Sequence, residues 1–321
     1  MQRRGDATGR RIAASALVVG ALVITTSPAT GVTGPHKILG GPEDQRNPNV
    51  DDTHLIWTQN SEAHPNVDHA YGKVLGEDGR TRLDAAGTRG VAGGIDPSDG
   101  RAIYQQMTDE TSDLYWFDFD TGMRTKVPAD GVNTDRWERD PRVSAAFLSF
   151  ARDARSSSSV FLYDRAAEAL RKIASYDITR FYVVPGMVGE RYATWTVCGP
   201  FTCTVWWYDT QDADAKPRKL PTVDGRPQYA GAIDDVGGYV YFVRSGQDCG
   251  ASVALWRRAW PLDADVLAER LVSLPAGIDT GWTIAIDRDA AHQRVDLWFS
   301  RYRCASQQGD IVELRDVETV P

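Results

Sequence analysis

Six segments of this chain run apolar, or alternate apolar with polar, over about six residues: HLIWTQ from His54, RAIYQQ from Arg101, AFLSFA from Ala146, RYATWT from Arg191, GYVYFV from Gly238 and VDLWFS from Val295. Their period and their content of aromatic and β-branched residues predict buried or half-buried β-strands. Downstream of each lies a second such run, followed in most copies by turn residues, then a polar stretch, a basic residue and a short apolar ending. These copies begin at Asp68, Tyr115, Val160, Val205, Val253 and Asp310. They place Val74, Asp118, Asp164, Asp209, Arg257 and Arg315 at equivalent positions, 44, 46, 45, 48 and 58 residues apart. Turns rich in Asp and Gly, such as Asp96-Pro97-Ser98-Asp99-Gly100 and Asp234-Asp235-Val236-Gly237-Gly238, join several of the first runs to a further strand upstream.

A four-stranded antiparallel unit repeating at this interval has the length of a propeller blade. The pattern therefore predicts an all-β protein, a six-bladed β-propeller of four-stranded antiparallel blades over residues 30–321. The sixth copy stops at Pro321, where the others continue into an outer strand. His36-Lys37-Ile38-Leu39-Gly40 shares the basic-then-apolar character of Thr125-Lys126-Val127-Pro128 and Arg218-Lys219-Leu220-Pro221. It is predicted to close the ring on the last blade and cover an otherwise open edge.

The run Asp96-Pro97-Ser98-Asp99-Gly100-Arg101-Ala102-Ile103-Tyr104, followed by Tyr115-Trp116-Phe117-Asp118-Phe119-Asp120-Thr121-Gly122, resembles the repeat of TolB-like six-bladed propellers. The resemblance implies a secreted or periplasmic propeller engaged in protein–protein contact at the cell envelope.

Residues 1–29 follow a different grammar: Arg3, Arg4, Arg10 and Arg11, an apolar run from Ile12 to Ile24, then Ser27-Pro28-Ala29. This is the pattern of a secretory signal peptide cleaved before Thr30. The apolar run is short for about 30 Å of hydrocarbon, so no membrane span is expected after cleavage. Losing four arginines and Asp6 takes the formal charge from -8 to -11. Such an acidic chain, without a Lys/Arg run, is not expected to bind nucleic acid.

Export makes disulfides plausible for the four cysteines. Cys198 and Cys203 flank a four-residue hairpin loop and should face each other across it. Cys249 and Cys304 fall in the same hairpin of adjacent blades and are paired on that ground. Their spacing lacks the two-residue knuckle of a zinc site, and no histidine is near.

No nucleophile elbow, phosphate loop, HExxH helix or EF-hand loop occurs. His64 and His69 are close in sequence but fall on or beside the first blade's loop, where a solvated role is expected. Asp118 with Asp120, Asp234 with Asp235 and Asp287 with Asp289 have the hard oxygens for Ca²⁺, yet all sit at turns that aspartate caps through its own backbone. No metal or cofactor is expected. Ligand contacts are expected on the face built by the connections between blades, where Arg136, Trp137, Arg139, Arg180, Tyr229 and Trp282 are the candidate binding residues. Trp, Tyr and Arg are the types enriched at binding hot spots, although Trp137 and Trp282 could equally pack between blades. The expected function is a monomeric, secreted, non-enzymatic module for a protein or peptide partner at the envelope. The alternative is an extracellular polysaccharide hydrolase or lyase with carboxylates in the central funnel.

Overall fold

The computed structural model describes residues 34–319 except 62, 213, 223–224, 247, 263–266, 290, 292 and 307. The expected leader, its expected cleavage point before Thr30 and His292 lie outside the described residues. Every regular element among the described residues is a strand, and no helix there is long and apolar enough to cross a membrane.

Strands β2 (Gln45–Val50), β3 (His54–Ser61), β4 (His64–Val74) and β5 (Thr81–Arg82) form one antiparallel sheet. Strands β14 (Tyr182–Val188), β15 (Tyr192–Cys198), β16 (Cys203–Asp209) and β17 (Arg218–Lys219) form another, as do β18 (Gln228–Asp234), β19 (Tyr239–Arg244), β20 (Ala254–Ala259) and β21 (Glu269–Ser273). In a fourth sheet β22 (Ile278–Asp289), β23 (Arg294–Arg303) and β24 (Gly309–Glu318) are completed by the N-terminal strand β1 (His36–Leu39), antiparallel to β24.

The remaining strands depart from expectation. The set β6 (Arg89–Ile95), β7 (Ala102–Met107), β8 (Ser112–Phe117) and β9 (Arg124–Lys126) joins the set β10 (Trp137–Val143), β11 (Phe147–Asp153), β12 (Ser157–Asp164) and β13 (Ala169–Asp177) in one eight-stranded sheet. Hydrogen bonding thus yields five sheets where six separate ones were expected. The join is one parallel residue pair, Trp137 with Ser112. Ser112 is buried, and its hydroxyl donates to the Glu138 carbonyl, tying β8 to β10 at that point. The fold is a β-propeller of four-stranded antiparallel blades.

Packing explains why the second strands read as unbroken apolar runs: both of their faces are covered. On β19, Tyr239, Tyr241 and Val243 pack against Leu297, Phe299 and Leu314 on one side, while Val240 and Phe242 meet Val205, Trp207 and Leu220 on the other. A comparable cluster lies between the two halves of the eight-stranded sheet, where Ile103, Leu114 and Trp116 meet Leu148 and Phe150. The basic-then-apolar endings have a structural reason too. Leu83, Val127, Leu220 and Leu274 each donate the backbone N–H to the third strand at 2.8–2.9 Å, to Ala70, Leu114, Val205 and Val253. The first three are buried, so these very short outer strands anchor by one apolar side chain.

Turn chemistry follows the sequence closely. Asp96, Asp118 and Asp234 accept side-chain bonds from Ser98, Thr121 and Gly237 N–H at 2.8–2.9 Å, and Gly100, Gly122 and Gly238 supply the left-handed φ near 70°. The equivalence drawn for the second repeat is displaced by one residue, and those for the last two by more. First residues of the second strands pair with Val74, Phe117, Asp164 and Asp209 in the earlier repeats, but with Ala259 and Glu318 in the last two, not Arg257 and Arg315. In the last repeat the offset coincides with a register break at Val295/Leu297 in the β23–β24 ladder.

Candidate functional site

Strands β2, β6, β10, β14, β18 and β22 each break register partway along, at Arg46/Asn49, Ala92/Gly94, Arg139/Arg142, Pro185/Val188, Tyr229/Ala232 and Thr280/Ile284. Three of these bulges hold a non-glycine residue at positive φ: Asn47, Asp140 and Ala230 at 53°, 50° and 56°. Bulges re-aim side chains beside a site. Where β14 passes β18 the backbones nearly touch, and a Cβ on Gly186 would lie 2.4 Å from the Gly231 carbonyl oxygen. No other residue type fits there.

On one face, above the N-terminal ends of these strands, opens a cavity of about 610 Å³. The β15–β16 loop forms one wall, fixed by the Cys198–Cys203 disulfide; the β19–β20 and β23–β24 loops are fixed by Cys249–Cys304. Both pairings are those expected from blade position. Phe201, at the tip of the first loop, is 85% exposed, and Tyr182 and Trp282 are 53% and 40% exposed. The Tyr182 and Trp282 rings meet edge-on at 6.5 Å, and Trp282 meets Tyr229 at 5.1 Å.

Asp279 lies buried at the floor. It accepts the Tyr229 hydroxyl at 2.7 Å, Thr280 N–H at 2.8 Å and Gly250 N–H at 3.4 Å. Burial first, and then the Asp279 charge, push the Tyr229 phenol well above its ordinary pKa and that of Tyr302 to about 12. Asp279 also lies within 4.8 Å of the Cys249 and Cys304 sulfurs, but these are bonded to each other and offer no thiolate. The grouping is not a metal centre.

Of the six candidate residues, only Tyr229 and Trp282 line this cavity. Arg139 is 8% exposed; its guanidinium bonds Asp153, Asp140, Ser158 and the Val183 carbonyl and sits 5.1 Å above the Tyr182 ring, which makes it a support for that ring. Arg136 is exposed beside Asp135, Arg180 lies over Phe181, and Trp137 is 37% exposed on β10; none of the three reaches the wall. Tyr182, Phe201 and Arg46 escaped the sequence reading. Phe201 counted only as loop length between two cysteines, and Tyr182 stands two residues past Arg180 in a run that reads as ordinary strand.

A second cavity, of about 560 Å³, opens on the opposite face among the turns that end the inner strands. Asp51, Asp52, Glu190, Asp235 and Asp287 stand around it. Asp287 departs from the expectation of a turn cap: it has no hydrogen-bond partner among the described residues, whereas Asp289 accepts Ala291 N–H at 3.1 Å. Burial, reinforced by Asp52, raises the Asp287 carboxyl from 3.8 to about 6. The folded protein holds this proton more tightly than the unfolded chain, so stability falls as pH rises between those two values and stays lower above them. Asp287→Asn should remove that slope in urea titrations and, after solvent screening, raise stability at pH 7 by about 1 kcal/mol. An unchanged pH profile would refute the assignment. His69 is hydrogen-bonded rather than simply solvated, its Nδ1 lying 2.9 Å from Asp84, which also pairs with Arg82.

No known family model and no curated protein matches the sequence. Solved structures do match in fold. A putative TolB from Agrobacterium tumefaciens superposes with a TM-score of 0.56 at 13% identity, covering 86% of this chain and 91% of that one. TolB from Acinetobacter baumannii gives 0.53 at 10%, covering 83% of this chain and 65% of that one, so the chain spans slightly under two thirds of that protein. An oligogalacturonate lyase in complex with manganese gives 0.51 at 10%, covering 90% and 97%. At such identities the likeness concerns the fold alone.

Proposed function

We propose that this chain is an extracytoplasmic binding module, a six-bladed propeller that presents its aromatic face to a protein or peptide partner. The count of six treats β6–β9 and β10–β13 as separate blades. Their single-pair join and the apolar cluster between them support this, as does the cyclic contact of the inner strands β2, β6, β10, β14, β18 and β22, the last returning to the first. Two disulfides support an oxidising compartment outside the cytoplasm.

The observation that carries the function is the clustering of exposed aromatic rings. Phe201 and Trp282 line one cavity, Phe201 on a loop that the Cys198–Cys203 bridge closes and Trp282 on β22, where its ring meets that of exposed Tyr182 at the start of β14. Exposed apolar rings gathered on one face mark an interaction site, and a pre-organised face loses little entropy on binding. The lyase or hydrolase reading fits less well. Asp279, the buried carboxylate of this cavity, has both oxygens engaged by three donors, so it is not placed to exchange a proton with a substrate.

The test is a peptide-display selection on the purified chain, followed by titration of an enriched peptide. Trp282→Ala and Phe201→Ala should each weaken binding by about 2 kcal/mol, roughly thirtyfold. Val236→Ala, exposed on the opposite face, should leave it unchanged. Equal affinity for all four proteins would sink the proposal, and release of reducing sugar from a polysaccharide would install the enzyme reading in its place.

A further inference from the structure

We propose that the cavity on the opposite face is a separate binding site for a small zwitterion, with Arg142 holding its carboxylate and the surrounding acidic residues its ammonium group. Arg142 follows the bulge of β10, and its side chain lines the cavity although the residue is only 5% exposed. Its Nη1 donates to the Gly93 and Pro141 carbonyls at 2.8 and 3.0 Å. No carboxylate among the described residues lies within ion-pair distance of it, and Nε and Nη2 have no hydrogen-bond partner there. Neighbouring arginines are neutralised: Arg139 by Asp140 and Asp153, Arg165 by Asp96, Arg288 by Asp234.

A guanidinium taken out of water without a counter-ion is destabilising by several kcal/mol. The free Nε/Nη2 edge is a two-donor fork that matches the two oxygens of a carboxylate. A plain anion, however, has to pass Asp51, Asp52, Glu190, Asp235 and Asp287. A ligand carrying an ammonium group as well as a carboxylate satisfies both signs of charge. The Asp235 Oδ1 atom, buried and without a hydrogen-bond partner, and Asp287 are the acceptors available for it. Apolar side chains of Val143, Met187, Ile233 and Ile286 border the same space, whose volume falls in the range of small-molecule sites.

The probes are glycine, 4-aminobutyrate, acetate, ethylamine and sodium chloride, titrated calorimetrically into the purified chain. One or both amino acids should bind saturably, with acetate and ethylamine much weaker. Arg142→Met keeps the side-chain volume and removes an unpaired charge, so it should fold, as the melting temperature will show. It should weaken amino-acid binding by about tenfold to a hundredfold. Asp287→Asn should weaken the amino acids but not acetate. Three results would each overturn the proposal: undiminished amino-acid binding by folded Arg142→Met, no amino-acid binding by the wild type, or chloride binding as tight as that of glycine.

Discussion

Replacing Cys249 and Cys304 together by alanine should lower the unfolding free energy by about 4 kcal/mol. The bridge closes a loop across a sequence separation of 55, which restricts the unfolded chain far more than the Cys198–Cys203 bridge, with a separation of 5. Removing the shorter one should cost about 2 kcal/mol on the same argument. The longer bridge also has a local role. It ties the β19–β20 loop to the β23–β24 loop beside Asp279, and Gly250, next to Cys249, donates its N–H to that carboxylate. Losing it should therefore loosen the cavity floor as well as the fold. Urea unfolding of the two double variants, read by tryptophan fluorescence, checks the order. If the short-loop variant proves the less stable, the longer bridge is not a main constraint on the ring.

Much of the architecture is legible because a propeller repeats its local chemistry. The apolar second strands, the Asp-capped turns and the closing segment His36–Leu39 each carry a signal within a few residues. What escapes is long-range geometry. Six bulges leave no common residue: Asn47, Asp140 and Ala230 share a backbone conformation and no side-chain chemistry. The last two repeats slip out of alignment by two and three residues, Ala259 for Arg257 and Glu318 for Arg315, a shift that pairing sets and no local pattern announces. One parallel residue pair fuses two expected sheets, and no local pattern encodes a contact between Ser112 and Trp137.

The proposed binding face holds a cavity bordered by the cysteine hairpins, yet only two of the six residues expected there, Tyr229 and Trp282, line it. Arginines drew the eye there, yet Arg139 is locked beneath Tyr182 by its own ion pairs. Burial and exposure of an arginine look alike in sequence when its partners come from other strands. The same limit hides Arg142, three residues further on, whose significance lies in the partners it lacks.

Deleting Pro35 to Gly41 should cost about 3 kcal/mol and make the protein associate as its concentration rises. Strand β1 pairs with β24 through His36 with Glu313, Lys37 with Val312 and Leu39 with Ile311, and Lys37 reaches Asp310 at 2.9 Å. Ile38 and Leu39 pack partly buried against a cluster of Val50, Leu55, Trp57, Ala285, Trp298 and Ile311, which joins the first sheet to the last. Two half-buried aliphatic side chains contribute about 1 kcal/mol each, and the ladder hydrogen bonds add about 1 kcal/mol net. That is a large share of a domain's usual margin of about 5–15 kcal/mol. The ten residues of β24 would become an open edge, which explains the expected association. Leu39→Asp offers a milder form of the same test, since it leaves the backbone ladder in place and removes the apolar anchor. Thermal melts at two concentrations, with light scattering, read both effects. A loss of only a tenth or two of a kcal/mol, with no association, would show that the ring holds without its N-terminal strand.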